Sequence, residues 1–222
     1  MMEILAVADV HGRTRNLKKV LKLSSWDALL IAGDVAPYWR PGAARDILID
    51  IVREFGNPVV VVAGNMDSLE AVLSTSAIEN IFPLHGDVYR LGELEIVGIG
   101  GSPPTPFGTP TELGEKEIES LLLKAFSKLS RDSEVLVLSH APPYGTAVDM
   151  ARGRIHVGSR ALRRVLENSG ARVRLCMCGH VHEARGRDTV GGVTVVNVGP
   201  LMLGYYAVVR IGRELEVELR SI

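Results

Sequence analysis

The chain has no glutamine, only two cysteines and few aromatic residues (5%). Its apolar runs, such as Val59 to Ala63, are strand-sized, far short of the roughly 20 residues a membrane helix needs. Glu3-Ile4-Leu5-Ala6-Val7-Ala8 follows the N-terminus without a basic segment or a small-residue cleavage site, so no secretory leader is expected. Cys176 and Cys178 lie two apart in one apolar segment. Neighbours that close do not normally pair as a structural disulfide, and no Cys-x-x-Cys occurs, so both read as core residues in a reduced compartment. A cytoplasmic location is the expectation. A net charge of −1 gives no pull towards nucleic acid or anionic membranes. The missing glutamine and few asparagines fit a heat-adapted source.

What is present is ample core material: 222 residues, 46% hydrophobic, are expected to form one domain spanning 1–222. Ile4 to Ala8, Ala28 to Ala32 and Pro58 to Ala63 read as buried strands, separated by helical patterns over Arg13 to Leu23 and Gly42 to Phe55. Strand-helix-strand-helix-strand predicts a parallel sheet, whose strand C-termini share one edge where ligands bind. Ser68 reads as the cap of a short helix. A hairpin follows over Val88 to Leu91 and Leu94 to Ile99. Next come a four-proline loop around Phe107 that connects elements or covers a site, a helix from Glu115 to Leu129 and a strand from Glu134 to Leu138. Tyr144 to Ser159 reads as a loop, Ser159 as the cap of a helix ended by Gly170, and Val173 to Met177 as another buried strand. Strands around Thr194 to Val198, Tyr206 to Ile211 and Glu214 to Leu219 close the chain. The many strands after the first unit imply a second sheet packed on the first.

Polar residues follow these strands in a pattern. Asp9-Val10-His11, Gly33-Asp34, Gly64-Asn65, His140 and Gly179-His180-Val181-His182 each sit just past an apolar segment. His180 and His182, two apart at a strand end, project to one side; alone they are metal ligands or plain loop histidines. Asp9, His11, Asp34, Asn65, His140, His180 and His182 offer only oxygen and imidazole nitrogen. That mixture suits manganese first, with iron, zinc, cobalt or nickel also fitting. Seven donors exceed the needs of one tetrahedral ion. Two divalent ions about 3.5–4 Å apart use them, acidify a shared water to hydroxide and clamp the oxygens of an in-line phosphoryl displacement.

The five blocks, in order from residue 9 to 182, resemble the calcineurin-like metallophosphoesterase superfamily. The resemblance implies an α/β fold, a four-layer α/β/β/α sandwich of two mixed sheets flanked by helices. It implies that Asp9, His11 and His182 hold one metal, that Asn65, His140 and His180 hold the other, and that Asp34 bridges them. The implied activity is phosphate-ester hydrolysis by a metal-bridging hydroxide, with a diester slightly favoured over a monoester and a small phosphate ester or nucleotide as substrate. Asp34 and Asn65 are thus candidates for catalysis as well as binding. The departure is Met66, where many members carry a histidine held to stabilise or protonate the leaving oxygen. Members without it resemble the small bacterial and archaeal phosphodiesterases, and Asp67 is left for a supporting or capping role.

His156, before a helix N-terminus able to bind an anion, is the candidate substitute acid or an ordinary loop histidine. Nine arginines between residues 152 and 187 face two acids, Glu167 and Glu183. They set up a field for phosphate esters or, for the most part, line solvated faces with one or two near the site. Phe107 stacks on a base or is buried under its own loop, the latter favoured; Asn197 supports the site from behind. The rival reading is a protein-binding scaffold that keeps the fold without catalysis, against which the full set of seven donors argues. A single-metal hydrolase is a third reading. A homo-oligomer is compatible with the composition.

Overall fold

The computed structural model describes residues 2–131, 133–152, 154–212 and 215–222. Along the chain run β1 (Met2–Val7), α1 (Thr14–Leu21), β2 (Ala28–Ala32), α2 (Ala44–Phe55), β3 (Val59–Val62), α3 (Leu69–Leu73), β4 (Ile81–Pro83), β5 (Asp87–Leu91) and β6 (Leu94–Ile99). They are followed by α4 (Glu115–Phe126), β7 (Glu134–Ser139), β8 (Met150–Ala151), β9 (Ile155–His156), α5 (Arg160–Asn168), β10 (Arg172–Cys178), β11 (Gly186–Val190), β12 (Val193–Asn197), β13 (Tyr205–Ile211) and β14 (Leu215–Ser221). Glu214, the expected start of the last strand, lies outside the described residues.

Two six-stranded mixed sheets form, ordered β14-β13-β1-β2-β3-β4 and β11-β12-β10-β7-β6-β5. In the first, β1 to β4 are parallel and β13 returns antiparallel beside β1, pairing Ile4 with Val209. In the second, β12, β10, β7 and β6 are parallel between antiparallel edge strands β11 and β5. Alternate residues of each inner strand serve two cores. Ile4, Leu30, Val60, Leu136, Met177 and Val196 meet between the sheets. Leu5, Ile31 and Val61 instead pack under α1 to α3 with Leu17, Leu48 and Ile51. Val137, Cys176 and Val195 pack under α4 and α5 with Leu122 and Leu162. The layers are therefore α/β/β/α.

The second sheet expected from the later strands is present, but not every later strand belongs to it. β4, β13 and β14 join the first sheet, because β4 runs on parallel beside β3 and the terminal hairpin covers the open flank of β1. Ser68 and Ser159 cap as expected, accepting from the N–H of Ala71 (3.2 Å) and Leu162 (3.1 Å). Both cysteines are free and buried on the α4/α5 side, and burial pushes the Cys176 thiol up to about 12, so neither is a nucleophile. No helix among the described residues is long and apolar enough to cross a membrane.

One buried acid outside the site stabilises the second sheet. Glu95 of β6, 2% exposed, accepts from the Ser130 N–H (2.9 Å), the hydroxyls of Ser130 (2.9 Å) and Ser133 (2.7 Å), and Arg90 (2.6 Å). Burial alone would raise its carboxyl, but the bonds from Ser133, Arg90 and Ser130 outweigh it and hold the group down at about 2, below the usual 4.5. Its contribution is therefore complete above pH 4.5 and lost as pH falls towards 2. Glu95→Ala should cost about 2–3 kcal/mol in urea denaturation at neutral pH, and the gap to the unmutated chain should close as unfolding is repeated at increasingly acid pH.

Candidate metal centre

Every polar block sits where a parallel strand ends. Asp9 follows β1, Asp34 follows β2, Asn65 follows β3, His140 follows β7, and His180 and His182 follow β10. The two sheets thus deliver their C-terminal loops to one rim, and backbone bonds stitch those loops together: Asp9 N–H to the Gly33 carbonyl (3.0 Å), His11 N–H to Asp34 (2.8 Å), Gly179 N–H to His140 (3.0 Å). The turns are sharp. Asp9 (φ 52°), His11 (45°), Asp34 (53°) and His180 (68°) all occupy the left-handed region, a conformation costly for non-glycine residues that clusters at functional sites. The neighbouring glycines leave room. A Cβ on Gly64 would fall 1.9 Å from Asp34 Oδ1, and one on Gly179 2.6 Å from Asp9 Oδ2.

The seven side chains converge. His11 Nε2 lies 3.4 Å from His182 Nε2 and 3.6 Å from Asp34 Oδ2, and His182 Nε2 lies 3.5 Å from Asp9 Oδ1. On the other side His140 Nε2 is 3.7 Å from Asp34 Oδ1, while Asn65 Oδ1 lies 2.9 Å from His140 Nε2 and 3.0 Å from His180 Nδ1. The two oxygens of Asp34 thus face two separate groups of donors. Ligand atoms of Asp9, His11 and His182 lie within 4.8 Å of one another, as do those of Asp9, Asp34 and His140.

A profile of the calcineurin-like phosphoesterase family matches residues 2–184. The chain belongs to that family. An uncharacterised protein of Methanocaldococcus jannaschii is 34% identical over 203 residues, covering 90% of this chain and 88% of its own. Two crystal structures share the fold. The protein TT1561 of Thermus thermophilus has a TM-score of 0.75 at 20% identity, with 98% of each chain covered. A dimetal phosphatase from Danio rerio has a TM-score of 0.64 at 15% identity, with 99% of this chain and 96% of that one covered.

The residues of this family member fit divalent cations on chemical grounds. His140 Nδ1 lies 2.8 Å from the Ala32 carbonyl, so it carries the ring proton and leaves a lone pair on Nε2. That lone pair faces the Asn65 carbonyl oxygen at 2.9 Å. The amide's orientation is fixed from behind. The Thr109 hydroxyl donates to Glu112 (2.6 Å), so its oxygen accepts from Asn65 Nδ2 (3.0 Å), and Oδ1 must point at His140 and His180. Two acceptors held face to face are repulsive until a cation lies between them.

Electrostatics agree. Burial pushes His11 down to about 4, opposed by Asp9, and pushes His180 down to about 3 with the help of His140, so both rings are neutral ligands at pH 7. Burial and the neighbouring Asp9 raise the Asp34 carboxyl; burial also works against ionised Asp9, but bonding to His182 and the charges of the other histidines keep its carboxyl low. Two carboxylates buried this close call for positive charge.

Further residues hold the site. Asp67 is fully buried and accepts the N–H groups of Val35 (3.1 Å), Ala36 (2.8 Å) and Gly64 (2.8 Å), tying the β2 and β3 loops together. Asn197 donates to the Val181 carbonyl (2.9 Å) and steadies the Gly-His-x-His loop from behind. Tyr38 stacks on His11 at 4.1 Å between centroids, while His11 Nδ1 has no partner among the described residues. The sequence carries no signal for Tyr38, and for Thr109 and Glu112 none beyond a proline-rich loop with room to cover a site.

Other expectations land elsewhere. Tyr144 to Ser159 holds the β8–β9 pair, gathered around fully buried Asp149. His156 belongs to that knot: Nδ1 is 2.7 Å from Asp149, and its ring packs on Tyr144, while Ala151 and Val157 of the same segment line the cavity over the centre. The N-terminus of α5 is no free anion site, since Glu115 accepts from the N–H groups of Arg160 (2.9 Å) and Ala161 (2.7 Å). Phe107 is 77% exposed rather than buried, because its prolines hold it out over the cavity. None of the nine arginines lines that cavity; several pair with acids elsewhere, Arg163 with Glu167, Arg164 with Glu119, Arg174 with Glu134.

Thr109→Val should free the Asn65 amide to rotate and weaken manganese binding on the order of 10-fold in calorimetry, while an exposed control such as Ser127→Ala leaves it unchanged. His156→Ala should lower thermal stability through loss of the Asp149 partner and keep hydrolysis within a few-fold of the unmutated rate; a collapse in kcat alone would restore it as an acid.

Proposed function

We propose that the 222 residues form a single catalytic unit, a dinuclear phosphoesterase that prefers activated phosphodiesters. The observation that carries this reading is the position of Asp34, one carboxylate oxygen facing His11 and the other facing His140. When bound, the two ions supply Lewis acidity and an acidified water as nucleophile. The chain's own share is positioning. Asp9 and Asp34 provide the only two negative charges among the seven donors, so two divalent ions keep an excess of positive charge for a phosphate group. Glu112 and Thr109 fix Asn65, Asp67 fixes the two loops, and Tyr38 fixes the His11 ring.

Met66 decides the substrate preference. It sits half-buried on the cavity wall beside Asn65, and its thioether has no proton to give a departing alkoxide. Asp67, turned to three backbone amides, cannot replace it. Substrates with good leaving groups need no such proton, which favours activated diesters over alkyl monoesters. Manganese is the preferred ion, and the convergence of all seven donors supports an enzyme over a scaffold.

The experiment is a metal-reconstituted assay with an aryl phosphodiester and an alkyl phosphomonoester. Turnover should appear with manganese, vanish with a chelator, and run on the order of 100-fold slower on the monoester. Asp34→Asn should remove at least ~100-fold of the diester rate. Equal rates on both esters would refute the preference, and metal-independent turnover would refute the mechanism.

A further inference from the structure

A cavity of about 600 Å³ opens over the metal centre, well within the size of small-molecule sites and far larger than one phosphate needs. Its floor is polar, with His11, Asp34, Asn65, His180 and His182; its walls are not. Pro103, Pro106, Phe107, Pro110, Val157 and Val181 are among the mainly apolar remainder. No lysine or arginine is among the described residues lining it, and the one charged side chain away from the floor is the carboxylate of Glu183. A second phosphate, or a polyanion such as a nucleoside triphosphate, meets no countercharge there.

The proline-rich wall also has little to offer a nucleobase. Its prolines carry no N–H, and most of the remaining donors are spent inside the loop. The Phe107 N–H bonds Thr105 (3.2 Å), the Thr109 N–H and both threonine hydroxyls bond Glu112 (2.8, 2.6 and 2.6 Å), and the Thr111 N–H bonds the Asn65 carbonyl (3.0 Å). A base seated on this wall leaves most of its acceptors unpaired. A hydrocarbon loses nothing by the same move.

The apolar surface continues outwards. Of the seven exposed large hydrophobic side chains among the described residues, Tyr38 and Phe107 line this cavity, and Trp39, Ile155 and Leu203 lie next in the chain or in pairing to residues on or against it. Ile155 pairs with the lining residue Ala151, and Leu203 follows Met202, which the Tyr38 hydroxyl contacts at 3.7 Å. Scattered apolar side chains need no explanation, but two exposed aromatic rings on the wall of one apolar cavity do.

The geometry points to an amphiphilic substrate: a phosphate ester whose organic group is a long hydrocarbon chain, lying along the proline wall with its tail at the apolar rim. This rests on the phosphoesterase reading for the head group but concerns a different part of the site. The chain length is read by Phe107 and Val157; the phosphate is read by the floor.

The test is the affinity of n-alkylphosphonates, methyl to octyl, for the full chain with manganese present. Calorimetry measures it, and hydrolysis of the matching alkyl aryl phosphodiesters is followed in parallel. Affinity should rise about two- to fourfold per added methylene, and octylphosphonate should outbind adenosine monophosphate at least 10-fold. Phe107→Ser should roughly halve that dependence on length, whereas Leu123→Ser, an exposed leucine on α4, should leave it intact. A flat series, or adenosine monophosphate binding more tightly than octylphosphonate, overturns the substrate class even if the diesters are hydrolysed. A steep binding series without hydrolysis supports the substrate class and overturns the phosphoesterase reading instead.

Discussion

Asp9 and Asp34 are buried together, 0% and 3% exposed, at the junction of two sheets. Two carboxylates so placed repel each other, and burial withholds the water that would screen them. Hydrogen bonds answer part of this: the His180 N–H reaches Asp9 (3.1 Å) and the Met66 N–H reaches Asp34 (2.9 Å). Among the histidines, His182 bonds Asp9 and is raised by it, but His11 and His180 add no charge because burial keeps them neutral. Bound cations would balance the cluster, and four left-handed residues, close glycine approaches and a buried Asp67 all hold these groups in an arrangement that would otherwise relax. Strain of this kind persists only where the surrounding structure over-determines it.

Over-determination comes from the fold. Parallel strands from both sheets end at one edge, so five sequence-distant loops meet there and bond one another through their backbones. The cores on either side are fully buried, with Ile31 and Val61 under one helical layer and Val137 and Cys176 under the other. Since side chains packed at crystal-like density move little, the loop ends inherit the rigidity of the strands. The metal donors are positioned by sheet geometry before any ion arrives.

That is also why the donors were legible in the sequence. Each follows an apolar strand, and most are marked by a glycine that makes room, as Gly64 does for Asp34 and Gly179 for Asp9. The parallel unit and both serine caps were legible for the same local reasons. Sheet membership was not. Tyr206 to Ile211 shows a strand's pattern, but nothing in it says that it returns beside β1 rather than extending the second sheet. The three-residue β4 and the polar β11 carry too little periodicity to register. Thr109 and Glu112 are a hydrogen-bond node inside a loop, and loops have no period to read. Phe107 misled because an aromatic residue among prolines suggests burial, whereas the prolines here stiffen the loop and hold the ring outwards.

Glu112 joins two functions that are separable in principle. One oxygen receives Thr105, the Thr109 N–H and the Thr109 hydroxyl, which shape the proline wall; through Thr109 it also orients Asn65 at the metal centre. Both jobs fall on the same oxygen, and the bonds from both threonines hold the carboxylate ionised, down at about 2. Rebuilding the wall for a different organic group therefore disturbs the amide that faces His140 and His180 unless the Glu112–Thr109–Asn65 chain is kept. Substitutions confined to Phe107, whose side chain is exposed and takes no part in those hydrogen bonds, escape the constraint. Selectivity in this molecule can change at the tip of the loop far more readily than at its base.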